Sequence, residues 1–253
     1  MLIVNKTAFG KGFLLMVTFL GVFLWIMSPT FGGGRTGLEF SDDFFNRLSK
    51  NSSNYFKEVE VTAAKQKGKQ LNLTVTVPLP NPKEQPDPVK QQETADKNAQ
   101  AAAKALIAAG GQVDVKANVM TIKGDLGTIL EFATKNSVVV FSVDGDAASK
   151  PENIETKNLL KSLWKAFGVM MLPMQRDKLL VEAKALNQVM KKAVEPAYNF
   201  YGITGESVNQ NVVLLTGLLA FYVVYTMWYG FAIFLMFEGM GLSMSKAKVK
   251  KEV

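Results

Sequence analysis

Two long apolar runs, residues 12–34 and 207–237, lie near the two ends of this chain and enclose a much longer polar stretch. A helix rises about 1.5 Å per residue, so roughly 20 apolar residues cross about 30 Å of hydrocarbon, and each run suffices. Neither run holds an Asp, Glu, Lys, Arg or His, so an ion or proton path built by this chain alone is not expected. The pattern predicts a protein that crosses a membrane twice, with residues 12–31 and 210–237 as the spans.

Between the runs the periodicity changes several times. Phe40, Phe44, Phe45 and Leu48 fall on one face of a predicted helix over 38–56, with Ser41 and Asp42 placed to cap it. Residues 59–63 predict a strand. Leu71, Leu73, Val75 and Val77, alternating with Asn72, Thr74 and Thr76, predict a second. Lys65, Lys67, Gly68 and Lys69 then form the hairpin tip, read as solvated lysines in a turn and not as a nucleic-acid patch. Residues 35–77 thus make a membrane-proximal helix and β-hairpin. Pro78, Pro80, Pro82, Pro86 and Pro88 exclude helix and central strand, so 78–91 reads as a linker or subdomain boundary, with a docking peptide as the alternative.

A compact α/β unit follows over 92–150. Ala95, Ala99, Ala102, Leu106 and Ala109 share a helix face that Gly110-Gly111 ends. A strand over 113–123 comes next. Gly124-Asp125 then turns into a short helix with Leu126, Ile129, Leu130 and Phe132. Residues 138–141 read as a buried strand ending at Asp144-Gly145-Asp146. The segment 151–205 is helical: Leu159, Leu160, Leu163, Trp164 and Phe167 make a stripe that 168–174 interrupts with a proline. A longer helix from about Gln175 carries Leu179, Ala183, Leu186, Met190 and Val194 until Pro196 kinks or ends it. The expected fold is α+β, two transmembrane helices flanking an external domain in which helices pack on a small mixed sheet. In architecture alone this resembles small modules beside transmembrane helices in alignment and ring-forming subunits of bacterial envelope machines.

Charge sets the expected threading. Lys6 and Lys11 precede the first run, Lys246, Lys248, Lys250 and Lys251 follow the second, and Arg35 is the basic residue nearest a span on the other side. Basic residues favour the cytoplasmic side, so residues 1–11 and the basic tail 238–253 are expected there, and 35–205 in the periplasm of a bacterial inner membrane. Residues 27–31 lack the small-x-small pattern of signal-peptide cleavage, which favours an uncleaved anchor.

The chain contains no cysteine and no histidine. Common zinc sites, haem ligation through His or Cys, cysteine nucleophiles and His-based triads are thereby excluded. Three motifs remain. Gly32-Gly33-Gly34-Arg35-Thr36-Gly37 lacks the Lys-Ser/Thr of a phosphate loop and reads as a flexible exit from the bilayer. Asp144-Gly145-Asp146 lacks the other ligands of a calcium loop and reads as a turn. Ser49-Lys50, adjacent on a helix, diverge and do not make a nucleophile–base pair.

The second span is richer in polar groups than the first. Tyr222, Tyr225 and Tyr229, with Gly217 and Gly230, read as a contact face for partner helices. Trp25, Tyr198, Phe200 and Tyr201 read as residues of the membrane interface. No catalytic residue, metal ligand, cofactor or nucleic acid is expected. The reading is a non-catalytic accessory or scaffold subunit whose partners are the bilayer and other membrane protein subunits, with homo-oligomerisation left open. The alternatives are an anchored small-molecule or ion sensor or transporter auxiliary, and an envelope hydrolase without His or Cys.

Overall fold

The computed structural model describes residues 3–242. In chain order the elements are α1 (Lys6–Ile26), α2 (Gly37–Ser52), α3 (Phe56–Ala64), β1 (Gln70–Thr76), α4 (Pro88–Ala108), β2 (Gln112–Lys116), β3 (Val119–Asp125), α5 (Leu126–Phe141), α6 (Pro151–Arg176), α7 (Leu180–Val189), α8 (Glu195–Asn199) and α9 (Val212–Gly239). A π-helical turn, Met190–Val194, joins α7 to α8. The chain divides into two units, 1–48 with 206–253 and 49–205, and the division falls within α2.

In the first unit α1 and α9 pair antiparallel, each long and apolar enough to cross a membrane. The N–H groups of Val4 and Asn5 both donate to the Gly239 carbonyl at 2.9 Å, so the start of α1 and the end of α9 lie together. Asn5 caps α1 by accepting from the Ala8 N–H at 3.1 Å, which starts the helix at Lys6, ahead of the apolar run. The lysines of the basic tail, 246–251, lie outside the described residues.

The glycine segment after α1 closes into a hydrogen-bonded turn. Phe31 and Arg35 exchange backbone hydrogen bonds of 3.0 and 2.9 Å across Gly33 and Gly34, whose φ values of 76° and 74° suit glycine. The cap of α2 also lies earlier than Ser41 and Asp42. Thr36 Oγ1 accepts from the Glu39 N–H, and the Glu39 carboxylate accepts from the Thr36 N–H, a reciprocal capping box. Along α2, Asp43 takes both Arg47 and Arg35, and these two bonds hold its carboxyl below the usual range. Arg47 also reaches Glu206 at 2.9 Å.

The second unit is built on a three-stranded sheet of order β1-β3-β2, and both pairings are antiparallel, so the sheet is not mixed. Leu71, Leu73 and Val75 of β1 and Met120 and Ile122 of β3 point to one buried face, while Asn72, Thr74 and Thr76 face solvent. Helices cover the buried face. Ala95, Ala99 and Ala102 give α4 a nearly flat inner side, and Leu106, Ile129, Leu130, Leu163, Phe167, Met170 and Leu186 fill the core.

Four expected elements differ. Residues 59–63 are helical, because Phe56, Val59 and Ala63 bury at the three- and four-residue spacing of α3. Residues 138–141 end α5 instead of forming a strand, since Ala133, Thr134, Ser137, Val140 and Phe141 bury one helix face; burial overrides the β preference of the valines. The strand over 113–123 is two strands, turning at Ala117-Asn118. Finally, α6 passes unbroken through Gly168 and Pro173 and stops where Lys178 adopts φ 61° and the Leu179 N–H donates to the Met174 carbonyl at 2.9 Å.

Residues 78–91 do not separate two subdomains. Pro88 opens α4 with Asp87 as its cap, and Phe56, Val59 and Leu73 share one core with Ala99 and Ile129. Helical backbone runs without a break from α7 through the π turn and Pro196 to Asn199, so the proline does not end the helix there, and the rearranged hydrogen-bond ladder of the π turn lies directly before it. The unit's two ends are side by side: a Cβ on Gly205 would lie 2.7 Å from the Asn51 side-chain oxygen.

Candidate functional site

The helix pair is held by backbone proximity at two glycines. A Cβ on Gly12 would lie 2.6 Å from the Met236 nitrogen and 2.8 Å from the Ala232 oxygen, and one on Gly239 would lie 2.6 Å from the Phe9 nitrogen. Farther along, Phe19 stacks on Tyr225 at 4.3 Å and meets Tyr229 at 5.1 Å. Tyr225 donates its hydroxyl to the Phe19 carbonyl at 3.3 Å, and Trp228 its indole N–H to the Leu15 carbonyl at 3.1 Å. These polar groups of α9 thus find acceptors on α1.

The five positions singled out on the second span therefore separate. Tyr225 and Tyr229 lie in the seam with α1. Tyr222 is 67% exposed, and a Cβ on Gly217 or Gly230 would meet open space. At about 100° per residue, Gly217 and Gly230 sit roughly 140° apart around α9 and cannot serve one partner helix together. Trp25, also exposed, packs its ring 5.1 Å from Phe31.

In the second unit Lys50 is buried at 4% exposure. Its ammonium donates to Asp144 at 2.5 Å and to the Ile203 carbonyl, and lies 5.2 Å from the centre of the Phe141 ring. Around it, Gly202 N–H donates to Val143 O at 3.0 Å, Gly145 N–H to Gly202 O at 3.1 Å, and the Tyr201 hydroxyl to Ala148 O at 2.6 Å. This is a clamp that ties the 143–148 loop to the 201–203 segment. Asp144 is engaged by an ammonium, and among the described residues no cluster of carboxylates is arranged to hold a metal. Phe200 lies edge-on to Phe141, and Tyr198 and Tyr201 lie under Lys157, so all three aromatics proposed for the membrane interface make contacts within this unit.

The lysines after α3 are partly consumed. Lys67 and Lys135 each reach the Glu131 carboxylate at 2.9 Å, and their hydrogen bonds hold it down to about 2. Burial works against the charged form of Asp125, yet bonds from Thr128 and Gly68 outweigh it and leave the carboxyl below its usual range.

A groove runs beside Trp164 of α6. Trp164 is 41% exposed and separates two cavities. One, about 180 Å³, is lined by Lys161, Glu195, Tyr198 and Asn199; the other, about 290 Å³, by Val77, Pro78, Ala102, Lys165 and Val169 among others. Lys157, Lys161 and Lys165 follow one edge of α6 at four-residue steps. Among the described residues none of the three pairs with a carboxylate: Lys157 and Lys161 lie over aromatic rings, and Lys165 donates to Asn98 at 3.1 Å. Glu195, the acid in the groove, has the Lys191 ammonium 2.8 Å from its buried Oε2, an ion pair by distance whose angle does not make a hydrogen bond. The lysine spacing is readable in the sequence. That Trp164 stays exposed depends on the positions of α4 and α8, which the sequence does not state. Compared with family models, with curated proteins and with solved structures, the chain matches none of them, so its reading rests on its own residues.

Proposed function

We propose that this chain is a non-catalytic, membrane-anchored accessory or scaffold subunit that presents residues 49–205 to a partner protein. In this reading α1 and α9 cross the bilayer as a hairpin, both termini are cytoplasmic, and the second unit is periplasmic. The observation that carries it is the closed helix pair. α9 satisfies Tyr225 and Trp228 on α1 and keeps its remaining surface, Tyr222 included, exposed to lipid or further helices. A folded unit inserted between two such helices is held at the membrane with its own surface free to bind.

The test is purification of the full chain from its native membrane in mild detergent, with quantification of whatever co-purifies stoichiometrically. A defined partner set that is lost when residues 49–205 are replaced by an unrelated domain supports the reading. Recovery of the chain alone under several detergents, in membranes where it is functional, counts against it.

A further inference from the structure

We propose that the groove beside Trp164 docks an acidic peptide segment of the partner, with an aromatic or leucine side chain seated against Trp164 and carboxylates meeting Lys161 and Lys165. The inference deepens the partner-binding reading and depends on it. Three observations converge on one short stretch of α6. Trp164 keeps 41% of its surface exposed between two concave, mostly apolar hollows, and tryptophan is among the residues that most often dominate an interface. The two hollows, about 180 and 290 Å³, fall at or below the roughly 300–1,000 Å³ of small-molecule pockets, so they suit inserted side chains better than a whole ligand. Along the same edge, Lys157, Lys161 and Lys165 stand at four-residue steps beside Trp164; like most lysines among the described residues they have no carboxylate partner, and it is their alignment along the groove that sets them apart.

The charge row therefore selects the sign of the occupant. Complementary charge raises the rate of encounter and rejects basic competitors, while the apolar hollows set the register. An anionic bilayer surface offers the same sign. It is a broad interface and cannot seat a single side chain in each of two concavities of this size.

The experiment uses the full chain in phosphatidylcholine nanodiscs, panned against a display library of random short peptides, with selected sequences synthesised and their affinities measured by fluorescence anisotropy. The selected peptides should be rich in Asp and Glu around an aromatic residue or leucine, and should bind more weakly as salt rises. Trp164→Ala should abolish binding. The double variant Lys161→Gln with Lys165→Gln, both exposed and without structural ion pairs, should weaken it about tenfold or more, which covers the case of a misfolded Trp164 variant.

Selection of neutral or basic peptides, no selection at all, or binding indifferent to both variants overturns the proposal. So does strong quenching of the Trp164 emission by brominated phosphatidylglycerol in the nanodisc, taken as the difference between parent and Trp164→Phe. If a partner co-purifies equally with parent and variants, the groove assignment falls and the scaffold reading stands. If no partner co-purifies with the parent, the scaffold reading falls first.

Discussion

Gly12 of α1 and Met236 of α9 approach so closely that a β-carbon on the glycine would sit 2.6 Å from the methionine's backbone nitrogen. No side-chain rotation relieves that overlap, because the obstructing atom is main chain. The pair defines where the two apolar helices touch, and Gly239 against Phe9 repeats the arrangement one end further on.

Gly12→Leu should therefore separate the helices, at an overpacking cost of about 1–3 kcal/mol, and lower the melting temperature of the detergent-solubilised chain. Gly230→Leu, where the added side chain meets open space, should leave it unchanged. Equal behaviour of the two variants would mean the seam does not depend on close backbone approach.

The meeting of Val4 and Asn5 with Gly239 makes a prediction about threading. Reporters beside Val4 and beside Gly239 must fall on the same side of the membrane. In the proposed orientation, a cysteine at Gln100 of this cysteine-free chain is labelled by an impermeant maleimide from outside, and one at Leu242 only after the cytoplasm is opened. The reverse order inverts the orientation; labelling of both positions from outside breaks the hairpin.

Residues 49–205 contain the whole buried cluster and should fold when expressed alone, with a melting temperature insensitive to chelators. Within that unit Lys50→Ala should cost about 2 kcal/mol, as it removes two charge-assisted bonds, and Asp144→Asn about 1, since Asp144 is half-exposed and Lys50 keeps the Ile203 carbonyl. Chemical denaturation measures both. A chelator-induced fall in melting temperature would point to a cation that the carboxylates hold.

Acid should act on the second unit through Glu131. Its folded carboxyl titrates near 2 against an ordinary 4.5, because Lys67 and Lys135 favour the charged form. The stabilisation is therefore complete above the ordinary value and is lost as pH falls from 4.5 toward 2. In water this is a small effect. Glu131→Gln should flatten that part of the curve of melting temperature against pH; an unchanged acid limb assigns it to other carboxylates.

Ala117 holds φ 54° at the tip of the β2–β3 hairpin, a left-handed conformation that costs an L-residue about 1–2 kcal/mol and glycine almost nothing. Ala117→Gly should thus stabilise the unit, by about 1 kcal/mol after the extra freedom gained by the unfolded chain. Loss of stability on this substitution would show that the alanine methyl contributes packing worth more than the strain.

How far the sequence reveals this fold depends on the range of the deciding contact. The two apolar runs, the alternation of β1 and the alanine face of α4 are local patterns with a single plausible outcome, and the structure shows them. The valines at 138–140 read as strand because their helical burial depends on the helices α5 packs against. The turn at Ala117 was legible in principle: inward positions are odd at Val113 and Val115 and even at Met120 and Ile122, a parity change that one continuous strand forbids. Site residues follow the same rule. The tyrosines of α9 announce polar work inside an apolar helix, yet only the placement of α1 shows that Tyr225 is satisfied within the chain and Tyr222 is not buried there. Gly12 carries no local mark that separates it from Gly10 or Gly21.

The adjacency of Asn51 and Gly205 bears on descent as well as architecture. A folded body that begins and ends at one point can be acquired or discarded in a single genetic event, leaving the flanking helices joined as before. The paired apolar helices and the α+β body are then free to carry separate histories, and kinship can be sought for each piece without requiring it of the other.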